Sequence, residues 1–284
     1  MKRDIGQRLT AWAEGQSHIV GLVQIGSRTR TSGSLGAFDI HSDWDFQIIS
    51  SFPEFFFKAD NYRDFLGCPV LLCSRIGRLG AVPKVTVVLT EGELDIVVLP
   101  ASLLDVAKRI VSGGVEGLDP QLSHALVDLS SVISGGYKIW KGESQLGWFY
   151  QYVKDRIPVL RLSDDDVCDL ANGFCCDYIS TLKKIQRGEL LAAQRWLHFN
   201  LAEVNFKLAH ELRLRAGLSS FPDARRIEFL GDMSLVDDLK INAGLSQPSL
   251  YEAAFHCAMV CRRLVALLVG SNWSWPNEIK LQRI

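Results

Sequence analysis

Two rhythms of apolar residues run along this chain, and the change from one to the other divides it. Ile5, Leu9, Trp12 and Ala13 recur at helical spacing and predict an amphipathic helix within residues 1–18. Ile19 to Ile25 then reads as a strand closed by Gly26. A polar loop with Gly33 and Gly36 covers 28–41, and a second strand covers 43–50 before Pro53. Lys84 to Leu89 and Leu94 to Leu99 are β-rich runs around Thr90-Glu91-Gly92-Glu93, which is a hairpin signal. Pro100 stops the second run, and helical patterning resumes at Leu103. From about residue 120 strand signals nearly vanish. Ser163 before Asp164-Asp165-Asp166 predicts a helix start, with the serine as cap and the acids at the positive end of the dipole. That helix runs to Gln186, where Gly188 can end it. Further helices are predicted over 189–215, 223–240 and 248–269. The fold class is α+β: an α/β domain over 1–120 and an α-helical bundle over 121–284, with the boundary between Gly113 and Gly136.

Composition narrows the function classes. At 284 residues and 48% hydrophobic, the chain has material for a proper core and lies outside the disordered class. Its 31 basic and 32 acidic residues leave a net charge of −1, so no basic field marks nucleic acid as the main partner. Met1 to Arg8 leads into no apolar run of signal length, which points away from secretion. The most apolar segment, Ala253 to Val269, carries His256, Arg262 and Arg263, and is too short and too charged to span a bilayer. The 7 cysteines are an odd set with no paired CxxC. Zinc is therefore not expected, and reduced thiols in a cytoplasmic protein are. Oligomeric state is left open.

The candidate chemistry lies in the first half. Side chains alternate along a strand, so Asp43, Asp45 and Gln47 share one face while Trp44, Phe46 and Ile48 share the other. The two acids stand roughly 6–7 Å apart at their Cα atoms and repel unless a cation lies between them. Asp95 interrupts the apolar run 94–98, and a charge in a central strand is costly unless it is paired or bound to metal. Set beside the Asp43/Asp45 strand it completes a three-carboxylate cluster. Such a cluster suits magnesium and a nucleoside triphosphate attacked in line, with pyrophosphate leaving. Gly26 allows close backbone approach, Ser27 and backbone N–H groups can hold phosphate oxygens, and Arg28 or Arg30 can neutralise phosphate charge. A DxD triplet alone carries little. Asp164 to Asp166 contains another one, which its place at a helix start explains.

Gly26-Ser27, then Asp43-x-Asp45, then Asp95 on a later strand resembles the nucleotidyltransferase superfamily that includes DNA polymerase β. Gly26-Ser27-Arg28-Thr29 with a long loop before the acids, followed by a helical half, is most similar to the aminoglycoside nucleotidyltransferases of the streptomycin adenylyltransferase type. The motif covers residues 19–99, and the helical half matches only in general character. The resemblance implies a nucleotidyltransferase-type mixed sheet with flanking helices, and an adenylyltransferase that uses ATP and magnesium. It implies Asp43 and Asp45 as metal ligands, Gly26 and Ser27 as the phosphate site, and Asp95 as a third ligand or as the base. It also makes Lys183 and Lys184 candidates to meet the triphosphate. The spacing from Gly26 to Asp43 is longer than in minimal members, which gives the loop 29–41 room for a role of its own.

A polycationic acceptor needs acids and aromatic faces. Asp164, Asp165, Asp166, Asp169, Asp177, Glu203 and Glu211 supply the first, and Trp140, Trp148, Tyr150 and Tyr152 the second. The same residues serve equally as helix-end charges and packing. His198 and His210 read as exposed or packed. Rival readings keep the first half and change the acceptor to a protein or tRNA, as in toxin–antitoxin nucleotidyltransferases, or remove turnover and leave a nucleotide-binding relative. The balanced charge argues against tRNA. A DxD glycosyltransferase needs a longer Rossmann unit than the residues before Asp43 allow.

Overall fold

Six strands, β1 (Ile19–Ile25), β2 (Trp44–Ser50), β3 (Val70–Leu79), β4 (Val82–Leu89), β5 (Gly92–Pro100) and β6 (Lys138–Lys141), form one sheet in the order β3-β4-β5-β2-β1-β6. Among the described residues, β2 and β5 run parallel and every other neighbouring pair runs antiparallel. The computed structural model describes residues 4–30, 38–58, 60–67, 69–79, 82–114, 118–221 and 225–276. The chain divides into two compact units, Met1–Leu160 and Arg161–Ile284.

Helices cover the sheet on both faces because strand residues are apolar on both. Phe46, Ile48, Leu94, Ile96 and Val98 enter a core with Ile5, Leu9 and Ala13 of α1 (Ile5–Glu14) and Tyr62 and Leu66 of α2 (Asp60–Leu66). Val23, Ile25 and Ile49 enter a second core with α3 (Leu103–Gly113), α4 (Pro120–Ile133) and α5 (Glu143–Arg156). β2 is buried from Phe46 to Ser50 but only half-buried at Trp44 and Asp45. Asp4 caps α1, and Lys141 closes its other end with its ammonium 2.6 and 2.7 Å from the carbonyls of Ala13 and Gln16. Burial lowers the Lys141 pKa, against the opposing charge of Glu14.

Three elements lie outside the sequence expectation. α2 and β3 fall between the second expected strand and the hairpin, a stretch for which no element is expected. β6 is four residues long, Lys-Ile-Trp-Lys, too short for an alternation signal. It joins the sheet beyond β1, and with α4 and α5 it belongs to the first unit, so residues 121–160 pack with the sheet. Asp43 lies one residue before β2, and residues 31–37 of the expected polar loop lie outside the described residues.

The second unit is helical among its described residues. α6 (Asp164–Gln186) occupies the expected span, and Ser163 and Asp166 exchange hydrogen bonds in a capping box at its start. The expected helix over 189–215 is α7 (Leu190–Trp196) and α8 (Glu203–Arg215) joined by a π-helical stretch, Leu197–Ala202. The expected helix over 223–240 shrinks to α9 (Met233–Leu239). Arg226 at φ 61° and Gly231 at φ 77° break the helical path before it. α10 (Gln247–Val269) runs through the core, burying Leu250, Ala254, Ala258, Cys261, Leu264 and Val265. Gln247–Asn272 is long and apolar enough to cross a membrane by length and composition, but its most apolar 18-residue stretch is 50% buried inside the unit, as suits a core helix.

Candidate active site

Gly26 ends β1 at φ 79° and ψ −157°, a conformation that only glycine adopts readily. A Cβ there would lie 3.0 Å from Cγ of Asp45, whose backbone pairs with Ile25 across the β1–β2 ladder. The missing side chain is thus the space the Asp45 carboxylate uses. Ser27–Thr29 forms a single 3₁₀ turn after it. The Thr29 hydroxyl ties that turn down, 2.8 Å from the carbonyls of both Gly26 and Gly136. Arg30 leaves the turn and runs past Gly135, where a Cβ would come within 2.9 Å of its Nε.

Arg28 holds the other acid in place. Its guanidinium donates to the backbone carbonyls of Asp43 at 2.9 Å and Ser42 at 2.6 Å, and it lies 4.1 Å from the Trp44 ring centroid and 5.0 Å from that of Phe38. Two hydrogen bonds and two aromatic faces fix the segment before β2, so Arg28 orients Asp43. Burial lowers the Arg28 pKa, and the carboxylates of Asp4, Asp43, Asp45 and Asp39 pull against it. A guanidinium keeps its charge throughout.

The parallel ladder sets Asp45 directly opposite Asp95. Directly paired residues point to the same face, and the antiparallel ladder on the far side of β5 brings Thr86 opposite Asp95 and Lys84 one pair further along on that face. Thr86 donates its hydroxyl to Oδ1 of Asp95, and the Lys84 ammonium lies 2.5 Å from Oδ2. Deeper on the same face, buried Tyr150 donates to Oε1 of Gln47 at 2.6 Å. Burial pushes the Tyr150 hydroxyl up, with Tyr137 adding to it, so it stays a donor. The site is a shelf of carboxylates edged by two cations, Arg28 and Lys84, and floored by a neutral hydrogen bond.

The sequence matches no family model and no curated protein. Among solved structures the chain is similar to an aminoglycoside 6-adenyltransferase from Bacillus subtilis, at 14% identity and TM-score 0.38 over 98% of this chain and 94% of that one. It is also similar to a nucleotidyltransferase-like protein from Exiguobacterium sibiricum, at 10% identity and TM-score 0.34 over 93% of this chain and 74% of that one.

Among the described residues, no group of three or more His, Cys, Asp or Glu side chains is placed to hold a metal ion. Asp43, Asp45 and Asp95 therefore do not make a ready three-ligand cage, and both oxygens of Asp95 are engaged by β4. Magnesium does not require such a cage, since it takes one or two carboxylates and completes its shell with water and substrate phosphates. The hard oxygens of Asp43 and Asp45 fit that demand.

Lys183 and Lys184 lie in the last turn of α6, in the second unit. The Lys184 ammonium sits 4.7 Å from the Trp196 ring centroid and 3.9 Å from a Glu189 oxygen, a local use at a helix C-terminus. Several expected acceptor acids are also engaged locally. Asp164 pairs with Arg215 at 2.7 Å, Asp166 completes the capping box, and Glu203 pairs with Lys207 at 3.2 Å. Buried Glu211 receives Arg161, Arg215 and the Leu162 N–H, while Asp177 accepts from Asn200 at 3.0 Å. Asp165 and Asp169 stand exposed on α6. Tyr150 and Trp140 serve the sheet, the latter donating to Gln24 at 3.0 Å. His198 is exposed, and His210 meets the Ser220 hydroxyl at 2.7 Å.

Lys84 and Thr86 are the residues that sequence reasoning missed. Leu89 pairs with Gly92, so Thr90 and Glu91 are the whole turn, and that length alone puts Thr86 opposite Asp95.

Proposed function

We propose that this chain is a nucleotidyltransferase that moves AMP from ATP to a hydroxyl of a small acceptor, an aminoglycoside, and releases pyrophosphate. The observation that carries the reading is the registered pair Asp45–Asp95 beside a Gly26 turn with no room for a side chain. Two opposed carboxylates are an unfavourable arrangement unless the site exists to attract cations.

The roles follow from position. Asp43 and Asp45 would hold the divalent ion that accompanies ATP, which when bound would supply positive charge against the phosphates, and Arg28 fixes the backbone of Asp43. Backbone N–H groups after Gly26 and the Ser27 hydroxyl receive β- and γ-phosphate oxygens, and Arg30 adds a positive charge beyond them. The acceptor oxygen attacks the α-phosphorus, the bond to the bridging oxygen breaks, and pyrophosphate departs. Each Asp95 oxygen keeps a lone pair beyond the one used by Thr86 or Lys84, so the carboxylate can take the hydroxyl proton while β4 holds it still.

The acceptor class comes from the resemblance of the Gly26-Ser27-Arg28-Thr29 motif, and the balanced charge argues against a tRNA acceptor. Dependence on ATP and the unpaired thiols at Cys73, Cys168, Cys175, Cys176, Cys257 and Cys261 suit the cytoplasm. Mass spectrometry of aminoglycosides incubated with the protein and MgATP tests the reading. A gain of one adenylyl group supports it. An unmodified panel together with adenylylated protein would move the acceptor to a protein hydroxyl.

A further inference from the structure

Asp95 is an odd member of a metal site, because its carboxylate is already satisfied from the neighbouring strand. Its side chain is 12% exposed, Lys84 reaches one oxygen at 2.5 Å, and Thr86 donates to the other. Val85, Val87 and Leu89, on the opposite face of β4, are buried in the core, so the strand is anchored independently of this pair. A lysine is a compact charge on a flexible stem, and here it stands beside the carboxylate that would otherwise complete a set of three.

We propose that Lys84 is a positioning residue that serves as a built-in cation of the site. It neutralises and orients Asp95, so that the chain offers a divalent ion a two-carboxylate seat at Asp43 and Asp45 in place of a three-carboxylate cage. Asp95 is thereby kept for the acceptor side of the reaction. The inference rests on the nucleotidyltransferase reading for the identity of the metal seat. It adds that the protein's own affinity for a divalent ion is held down by Lys84. A lysine that only stabilises the sheet makes a different prediction, since freeing the other Asp95 oxygen at Thr86, with no change of charge, would then leave metal binding unchanged.

The test is titration of the nucleotide-free full-length protein with Mn²⁺, read from the electron paramagnetic resonance signal of the free ion. Lys84→Gln removes the internal cation and frees an Asp95 oxygen, and Mn²⁺ binding tightens about tenfold. Thr86→Val frees the other oxygen without changing charge and tightens binding by a smaller factor. Lys84→Arg keeps the charge and binds as the wild type does. Asp45→Asn abolishes binding in the wild-type and Lys84→Gln backgrounds alike. If Asp45-dependent binding is present and neither Lys84→Gln nor Thr86→Val tightens it, the role of Lys84 is overturned while the metal seat stands. If no variant binds Mn²⁺ through Asp45, the metal seat fails and the role of Lys84 with it.

Discussion

Asp45 and Asp95 face each other across the parallel ladder of β2 and β5. Directly opposed like charges destabilise a sheet by about 0.2–1 kcal/mol, and Lys84 and Arg28 stand on either side of the pair. Asp45→Asn removes the repulsion. In metal-free buffer with chelator the variant should melt at a higher temperature than the wild type, while pyrophosphate release from MgATP falls by at least about a hundredfold, since losing a direct ligand costs more than losing an outer-shell partner. Thermal denaturation and a coupled pyrophosphate assay check the two halves. Lower stability with unchanged turnover would show that Asp45 is a structural acid.

Gly26→Ala attacks the same pair from the backbone. The residue must hold φ 79° and ψ −157°, and its new methyl would press on the Asp45 carboxylate. We expect a loss of about 1–3 kcal/mol of stability, read from urea unfolding, together with loss of nucleotide binding. Gly188→Ala, also at positive φ but with nothing near its Cβ, is the control that should leave nucleotide binding intact.

Arg28→Lys keeps the charge and loses the fork. A lysine cannot donate to both the Ser42 and Asp43 carbonyls in the same geometry, nor stack as a plane on Trp44. Turnover should fall roughly tenfold or more as Asp43 loses its fixed position. If Arg28 met phosphate only as a point charge, the lysine variant would retain most of the activity, and steady-state kinetics separates the two.

Glu211 gives the second unit a dependence on acid. Burial pushes its carboxyl pKa up, but hydrogen bonds from Arg161, the Leu162 N–H and Arg215, with the charge of Arg161, outweigh this and hold it below the ordinary value. A depressed folded pKa means that the stabilisation is fully present above the unfolded value, about 4.3 for a glutamate, and is lost as pH falls through the folded value. The denaturant midpoint should therefore drop on acidification below about pH 4.3, and Glu211→Gln should flatten that drop. An unchanged acid limb in Glu211→Gln would place the sensitive group elsewhere.

Much of the fold is legible in the sequence because its elements satisfy one period at a time. Ile19 to Ile25 and Lys84 to Leu99 carry strand residues with a hairpin between the last two runs, and Ser163 to Gln186 carries a capping box and a dipole-matched end. Where the period was short or broken, the reading failed. β6 has too few residues to alternate, and the 223–240 helix is cut by Arg226 and Gly231 in positive φ. The site was legible as a set of acids but not as a network. The two-residue turn sets Thr86 opposite Asp95, but the parallel pairing of β5 with β2, which sets Asp45 opposite Asp95, is decided by sheet order, and no spacing along the chain encodes that. Arg28 likewise read as a loop cation because its partners are backbone carbonyls.

The most direct test of the account is pyrophosphate release from MgATP in the presence of a panel of aminoglycosides, with Asp45→Asn measured in parallel. The account predicts release that requires both the acceptor and Asp45. Binding of MgATP without acceptor-dependent release across the panel, or release that persists in Asp45→Asn, would contradict it.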